Sequence, residues 1–278
     1  VLNICDKISI ANLKLKRNNR GIYMYIGFFD SGIGGLSVLK EALKILPNEN
    51  YIYYGDTENA PYGTKTKEEV KDLTFRAVEF LDKHKIKALV VACNTATSAA
   101  VRELREKYSF PIIGMEPAIK PAVENNQKKG KRVLTLATPL TLKEEKFQSL
   151  ISKFDVEHIV DMLPAPKLVE FAEKFIFSGP CVENYLRDIM PANINEYGTV
   201  VLGCTHFPLF RDVLSKLLPE STDIIDGNRG TVNHLYDILK KRNLLNPSSE
   251  KGQVIFYKSG KLVEDESLIE KYKQIIYD

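Results

Sequence analysis

From Tyr25 onward, short apolar runs alternate with longer amphipathic stretches, and this alternation restricts the fold more than any other feature of the chain. The segments "MYIGFFD", "NYIYYGD" and "IKALVVAC" are each typical of a buried strand. The stretches between them carry apolar residues at helical spacing, such as Leu36, Leu39 and Leu43 in "SVLKEALKIL". Strands that are apolar on both faces and alternate with helices predict parallel sheets covered by helices on both sides.

The alternation is interrupted twice, which indicates two α/β halves. A polar, proline-containing stretch lies near residues 117–131, after which the pattern resumes with "KRVLTLAT" and continues to "TDIIDG". A second break lies near residues 226–230. The 278 residues suffice for two domains of ordinary size. We therefore predict an α/β protein with two similar domains, each a mainly parallel sheet flanked by helices.

Residues 1–23 lack this pattern, and we predict that they form a flexible N-terminal extension without the features of a secretory signal. The four cysteines are scattered and form no CxxC pair, which indicates free thiols and a cytoplasmic protein. The net charge of +3 arises from both signs mixed along the chain. This distribution, and the absence of a long apolar run, predict neither nucleic-acid nor membrane binding.

A glycine-rich turn, "FFDSGIGGLS", follows the first predicted strand and opens a helix. Its Gly32, Gly34 and Ser37 approach the dinucleotide-binding fingerprint, which would indicate an NAD-dependent dehydrogenase. Serine stands where that fingerprint has its third small residue, and the carboxylate of Asp30 would repel a pyrophosphate. We therefore favour a turn whose backbone N–H groups face a small anion at the helix N-terminus. A tight strand-to-helix turn without a ligand explains the glycines equally well.

Two cysteines stand in matching surroundings, Cys93 in "VVACNTATS" and Cys204 in "VVLGCTHFP". Each ends a valine-rich strand and precedes a predicted helix, and the carboxyl ends of parallel strands are where α/β proteins hold ligands. The positive end of a helix dipole lowers a thiol pKa and favours the thiolate. A single cysteine is usually only a small buried apolar residue. Two cysteines in matching positions instead indicate a site.

The chemistry available to such a site depends on what the two thiols face. A zinc site formed with His206 is one alternative, but the Cys-x-His spacing is not that of structural zinc sites, and we predict no metal. Two thiols on opposite sides of a carbon can remove a proton from one face and deliver one to the other, which inverts a stereocentre. Asp30 and His206 can tune or relay these protons. Substrate carboxylates would be held by helix N–H groups and by Ser31, Asn94, Thr95 and Thr205.

Five segments, in order along the chain, resemble the motifs of the glutamate racemases, a family within the cofactor-independent aspartate/glutamate racemase superfamily. They are "FFDSGIGGLSVL", "YYGDTENAPYG", "VVACNTATS", "GMEPAIKPA" and "VVLGCTHFPL". The form "CNTAT" rather than "CNTAH" favours the glutamate enzymes over the aspartate racemases. The resemblance implies two α/β domains with the active site in the cleft between them. It assigns residues 24–118 and 227–278 to the first domain and residues 119–226 to the second.

The resemblance also implies an activity and a set of site residues. The expected enzyme is an isomerase that interconverts L- and D-glutamate without a cofactor and supplies D-glutamate for peptidoglycan, hence for cell wall biogenesis and cell shape. It is expected to be a homodimer. Cys93 and Cys204 are the implied acid/bases, assisted by Asp30 and His206 respectively. The implied substrate contacts are Asp30, Ser31, Tyr54, Gly55, Asn94, Thr95, Thr205 and His206, and Glu170 in "PKLVEF" is a possible further assisting carboxylate.

Two alternatives remain open at this point. One is a racemase of the same superfamily that acts on aspartate or another amino acid, and substrate competition would separate it from a glutamate enzyme. The other is a non-catalytic sensor that retains the fold and binds an amino acid. Such a sensor would bind its ligand without inverting it, so a turnover measurement separates it from both racemases.

Overall fold

The computed structural model describes residues 25–277, which form two β-sheets flanked by helices. The predicted extension, residues 1–23, lies outside this part of the chain. The strands are β1 (Tyr25–Asp30), β2 (Asn50–Gly55), β3 (Ala88–Val91), β4 (Ile112–Gly114), β5 (Arg132–Ala137), β6 (Val160–Pro164), β7 (Tyr197–Leu202), β8 (Asp223–Asp226), β9 (Val254–Lys258) and β10 (Lys261–Leu262). 

The helices are α1 (Leu36–Ile45), α2 (Lys67–Lys83), α3 (Asn94–Lys107), α4 (Ile119–Gln127), α5 (Pro139–Lys143), α6 (Glu145–Phe154), α7 (Pro166–Glu173), α8 (Pro180–Ile189), α9 (Arg211–Leu217), α10 (Asn228–Lys241) and α11 (Glu266–Tyr277). Short 3-10 turns lie at Thr57–Asn59, Tyr62–Thr64, Ile194–Glu196 and Phe207–Phe210. Between residues 25 and 277, none of the helices is both long enough and apolar enough to cross a bilayer.

The first sheet has the strand order β10-β9-β2-β1-β3-β4, and its pairs run parallel except for β9 with β10. Every residue of β1 is buried, and its side chains alternate between two cores. Ile26 and Phe28 belong to the core formed with α1, α10 and α11. Tyr25 and Phe29 belong to the core formed with α2 and α3. This arrangement confirms the predicted α/β class, with a mainly parallel sheet covered on both faces.

The second sheet has the order β6-β5-β7-β8 and is parallel throughout. Leu134 and Leu136 on one face of β5 join the core that includes α7 and α8, while Val133 on the other face joins the core with α4 and α6. After β8 the chain returns to the first sheet, where α10 packs against α1 and β9 pairs with β2. The division into residues 24–118 plus 227–278 and residues 119–226 stays a prediction, in which each part would contain one sheet.

The chain passes between the two sheets at residues 114–119 and again at residues 226–228. The stretch predicted as a polar break contains a helix, α4, with Pro121 in its first turn. Proline is tolerated there because the first N–H groups of a helix have no intrahelical partner. At the second passage Gly227 lies against the carbonyl of Glu116, and a Cβ at position 227 would overlap that oxygen. The two passages are therefore in direct contact.

Candidate active site

Both predicted cysteines line one small cavity between the two sheets. Cys93 follows β3 and is the N-cap residue of α3, where its sulfur accepts the backbone N–H of Ala96 at 3.4 Å. Cys204 follows β7 after Gly203. Because the two strands point the same way within their own sheets and both end at the cleft, the fold brings the two thiols to one space.

Five other predicted residues line the same cavity, namely Ser31, Asn94, Thr95, Thr205 and His206. The cavity has a volume of about 10 Å³, which is room for about one water molecule. The structure therefore shows the site in a closed arrangement. Asn94 Oδ1 is buried and accepts no hydrogen bond from the described residues. It is an acceptor available to a donor on a bound molecule, such as an ammonium group.

The structure places Tyr54 and Gly55 outside the lining of the cavity, and their contact with the substrate stays a prediction. The ring of Tyr54 packs against Phe80 with ring centroids 5.3 Å apart, and Gly55 pairs with Asp30 at the end of β2. The wall of the cavity is formed instead by Tyr62 and Gly63 of "NAPYG". The predicted residues lie at the end of β2, whereas the residues that reach the cavity lie in the turn after that strand.

Asp56 holds this turn in place. Tyr62 donates its hydroxyl to Asp56 Oδ2 at 2.6 Å, and the side-chain amide of Asn59 donates to both oxygens of the same carboxylate at 3.0 and 3.1 Å. Both Asp56 and Tyr62 are buried. Hydrogen bonds to a buried carboxylate are stronger than those between neutral groups, so this cluster fixes the turn firmly over the cavity.

On the first-sheet side, Cys93 lies among groups that keep its proton in place. Burial raises the pKa of the Cys93 thiol to about 12, and the nearby charge of Asp30 adds to the effect. The Ala96 N–H and the Ser31 hydroxyl, 3.6 Å from the sulfur, act in the opposite direction but are weaker. The expectation that the helix N-terminus would make this thiol acidic is therefore wrong, because desolvation outweighs the favourable N–H. At neutral pH Cys93 is a thiol.

Asp30 is fully buried and joins the two sides of the cavity. Its Oδ1 accepts the backbone N–H of Gly32 at 2.8 Å, and its Oδ2 accepts the hydroxyl of Thr205 at 2.9 Å. Burial raises the pKa of Asp30, while the charge of His206 and these two hydrogen bonds oppose the rise. Asp30 thus lies behind the cavity wall, between Cys93 and the loop that carries Cys204.

On the second-sheet side, His206 connects Cys204 to a carboxylate. His206 Nδ1 lies 3.7 Å from the sulfur of Cys204, and Nε2 lies 2.7 Å from Glu173 Oε1. Burial alone would lower the pKa of His206, but its bonds to Cys204 and Glu173 and the charge of Asp30 raise that pKa well above the ordinary value. The raised pKa favours the imidazolium form of His206, which places a positive charge beside the sulfur of Cys204.

Glu170, predicted as a possible assisting carboxylate, does not line the cavity, and its role stays a prediction. Glu170 is exposed on α7, whereas Glu173, one turn later, accepts both the ring of His206 and the backbone N–H of Ile33 at 2.8 Å. Helical spacing contained the signal, because Glu173 lies four residues after the buried Val169 and therefore on the inward side of the helix. No sequence motif marked it.

Within residues 25–277, no three His, Cys, Asp or Glu side chains are grouped so that they could hold a metal ion. The groups that do meet at the cavity are two thiols with different partners. One is a protonated thiol next to Asp30, and the other is paired with a charged imidazole. Such a pair can accept a proton on one side of a small molecule and donate a proton on the other.

Comparison with known proteins places this arrangement in a family. The model of the Asp/Glu/hydantoin racemase family matches residues 34–235. The chain is 56% identical to a glutamate racemase of Halothermothrix orenii, over 91% of this chain and 99% of that protein. It is 51% identical to glutamate racemase 2 of Bacillus subtilis, over 91% of this chain and 95% of that protein.

Solved structures give the same result. The fold resembles the crystal structure of glutamate racemase from Campylobacter jejuni, with a TM-score of 0.75, 33% identity, and coverage of 91% of this chain and 98% of that one. It also resembles glutamate racemase from Francisella tularensis in complex with D-glutamate, with a TM-score of 0.76, 28% identity, and coverage of 92% and 94%. Since the family model spans most of the chain and the relatives match it nearly end to end, the chain belongs to the Asp/Glu/hydantoin racemase family and is similar throughout to its glutamate racemases.

Proposed function

We propose that this protein is a glutamate racemase that inverts the α-carbon of glutamate by proton transfer between two cysteines, without a cofactor. The observation that carries the proposal is the meeting of Cys93 and Cys204 on one closed cavity, each with a different supporting group. The glutamate racemases named above, one of them solved with D-glutamate, support glutamate as the substrate.

The inversion can start from either cysteine. In the direction that starts at Cys204, its thiolate takes the α-proton of one enantiomer, so that the C–H bond breaks and an S–H bond forms. The electron pair stays on the α-carbon. Cys93 then gives its thiol proton to the opposite face, which completes the inversion and leaves Cys93 as the thiolate. The reverse reaction starts from that state and exchanges the two roles.

The supporting groups act differently on the two cysteines. Glu173 holds the His206 ring and its charge next to Cys204. Asp30 lies near Cys93 and also anchors Thr205, so its charge favours the protonated form of Cys93. A Cys93 thiolate formed during turnover would therefore be a strong base, which favours its taking a proton from the other enantiomer.

The substrate would be held by uncharged groups. The described residues that line the cavity include no lysine and no arginine. Carboxylates of glutamate would accept hydrogen bonds from hydroxyls and from N–H groups at the N-terminus of α3. The side chains and backbone in reach are those of Ser31, Tyr62, Gly63, Asn94, Thr95 and Thr205. The unpaired Oδ1 of Asn94 would accept the substrate ammonium.

The biological setting follows from the same proposal. D-glutamate made by this reaction would be supplied to peptidoglycan synthesis, which requires the enzyme to act in the cytoplasm. We also propose the homodimer implied by the resemblance. Sedimentation of the purified chain would test this assembly, and a purely monomeric species at micromolar concentration would contradict it.

The proposed reaction is tested by proton NMR in deuterated water, with L-glutamate, D-glutamate and L-aspartate as separate substrates and no added cofactor. We expect loss of the α-proton signal of both glutamate enantiomers, together with formation of the opposite enantiomer. Cys93→Ser and Cys204→Ser should each lose most racemisation, while Cys181→Ser, at an exposed cysteine, is the matched control and should not. Full activity of either active-site variant would refute the two-cysteine mechanism. Turnover of aspartate alone would indicate a racemase of the same superfamily that acts on aspartate. Binding of an amino acid without exchange of its α-proton would indicate a sensor.

A further inference from the structure

Ser37, the second residue of α1, connects the first sheet to the loop that carries Cys204 and His206. Its side chain is buried, and its hydroxyl donates to the backbone carbonyl of Thr205 at 2.9 Å. Thr205 stands between the cysteine and the histidine, so this bond fixes the backbone from which both side chains project. The main chain of Thr205 is held by Ser37, and its side chain is held by Asp30.

Asn228, the first residue of α10, controls the direction of the Ser37 hydroxyl. Its side-chain amide donates to Ser37 Oγ at 3.1 Å, and it is also buried. A serine hydroxyl has one hydrogen, so an oxygen that already accepts from Asn228 directs that hydrogen to Thr205. The backbone N–H of Asn228 is held by Asp226 Oδ1 at 3.0 Å. Asn228 thus has a fixed position where the chain leaves the second sheet.

We propose that Asn228 is a positioning residue for the loop of Cys204 and His206, and that it acts through the hydroxyl of Ser37. The inference rests on the proposed racemase function. Neither Asn228 nor Ser37 lines the cavity, so both act only through the backbone of Thr205. We expect the larger consequence on the side of Cys204, because the bonds of Asn228 and Ser37 lead to its loop, whereas Cys93 is bonded to Ser31 and Ala96.

A one-sided disturbance has a signature in isotope effects. The two enantiomers have equal free energy in solution, so kcat/KM must fall equally in both directions. If proton transfer at Cys204 becomes slower, the α-deuterium isotope effect rises for the enantiomer that Cys204 deprotonates. It falls for the other enantiomer, whose reprotonation by Cys204 has become limiting, and the solvent isotope effect rises there. Partial unfolding lowers the amount of active enzyme but leaves both isotope effects unchanged.

Asn228→Asp is the sharpest variant, since it replaces a donor with an acceptor of the same shape. The hydroxyl of Ser37 would then donate to the new carboxylate and leave the carbonyl of Thr205 without its partner. A negative charge in the first turn of α10 is favourable for the helix, so the variant should fold. Ser37→Ala removes the bond to Thr205 directly, and Asn228→Ala removes the amide donor that directs the Ser37 hydroxyl. Asn126→Ala is the matched control, because Asn126 is a buried asparagine whose amide donates to a threonine, Thr199, and neither residue lines the cavity.

The experiment measures kcat/KM with α-protonated and α-deuterated L- and D-glutamate, and the iodoacetamide labelling ratio of Cys204 to Cys93 by mass spectrometry. We expect kcat/KM to fall about two- to tenfold in all three test variants, with isotope effects that move in opposite directions for the two enantiomers and a changed labelling ratio. The double variant that combines Asn228→Ala with Ser37→Ala should have a kcat/KM no lower than that of Ser37→Ala alone. Asn126→Ala should change stability alone.

Unchanged isotope effects and an unchanged labelling ratio in Asn228→Asp would overturn the proposal, whatever the loss of activity. So would an equal response of Asn126→Ala. If the unsubstituted protein does not racemise glutamate, the proposed function fails. The labelling ratio, which needs no turnover, then decides the positioning role by itself.

Discussion

Glu173 provides the most direct test of how the second cysteine is activated. The substitution Glu173→Gln keeps the shape of the side chain and an oxygen that can still accept the N–H of Ile33, so the fold should be retained. It removes the negative charge that lies 2.7 Å from His206 Nε2. The pKa of His206 should then fall, since the Glu173 bond is one of the causes that raise it. Less imidazolium means less positive charge beside the sulfur of Cys204 when that sulfur takes the α-proton.

The size of the effect follows from the change of a charged hydrogen bond into a neutral one, because the oxygen of glutamine can still accept from His206. A hydrogen bond to a charged group contributes about 1.5–3 kcal/mol and a neutral one about 0.5–1.5 kcal/mol, so the difference is about 1–1.5 kcal/mol, and each 1.36 kcal/mol of transition-state stabilisation is about tenfold in rate. We therefore expect kcat/KM to fall about 5- to 15-fold. The basic limb of the pH–rate profile should also move to lower pH, because His206 loses its proton earlier.

The assay is racemisation followed by circular dichroism, with kcat/KM measured across the pH range for the original protein, Glu173→Gln and Glu170→Gln. Glu170 is the matched control, since it lies on the same helix but is exposed. We expect Glu170→Gln to stay within about twofold of the original, as is usual for a surface substitution. Equal losses at the two positions, or an unshifted basic limb in Glu173→Gln, would refute the role given to the Glu173–His206 pair.

Two further predictions concern the turn over the cavity and the Cys93 thiol. Tyr62→Phe removes the 2.6 Å hydrogen bond to Asp56. It should lower the free energy of unfolding by about 1–3 kcal/mol and raise the KM for glutamate. Tyr54→Phe is the control and should leave that KM within about twofold of the original. The pKa of Cys93 is raised from 9.0 to about 12 in the folded protein, so the unfolded chain loses this proton first and stability declines between these two pH values. Cys93→Ser should reduce that decline by up to about 1.4 kcal/mol per pH unit in urea titrations, and an identical slope would show that this thiol is not buried as a neutral group.

The sequence predicted those parts of the site that come from strand ends. Cys93 and Cys204 each follow a valine-rich strand. This local context alone predicts that both lie at the carboxyl edge of a parallel sheet. Asp30 ends β1 and Ser31 follows it, for the same reason. The predictions that rest on this one rule agree with where the structure places these side chains.

The rest could not be read from the sequence, because it depends on contacts between elements far apart along the chain. The turn after β2 packs against α5, which flanks the second sheet. The path of this turn determines that Tyr62, and not Tyr54, lines the cavity. Glu173 reaches His206 because α7 packs against the turn after β1. In that turn, a Cβ on Gly32 would overlap the carboxylate of Glu173. The acidity of Cys93 depends on burial, which a local helix-dipole argument omits.

Four contacts close the cavity from both sides, and the site must open before glutamate can enter a space that holds about one water molecule. Gly63 lies directly against the side chain of Thr138. The hydroxyl of Thr95, on α3, lies 3.2 Å from that of Thr138 and 2.9 Å from that of Thr141, on α5. The fourth contact is an ion pair, in which Lys67 Nζ at the start of α2 lies 2.9 Å from an oxygen of Glu144, just after α5.

This ion pair should set how often the site opens. The side chain of Glu144 is only 6% exposed and that of Lys67 is 48% exposed, so the pair is intermediate between surface and buried pairs and should contribute about 1 kcal/mol to closure. Lys67→Met would then raise the open population about fivefold, and iodoacetamide should label Cys93 and Cys204 about five times faster. Exposed Cys181 gives an internal standard for the reagent. Lys71→Met is the matched control, because Lys71 pairs with Glu103 between α2 and α3, beside the first sheet alone. Equal labelling rates in both variants would mean that closure depends on the threonine contacts and not on charge.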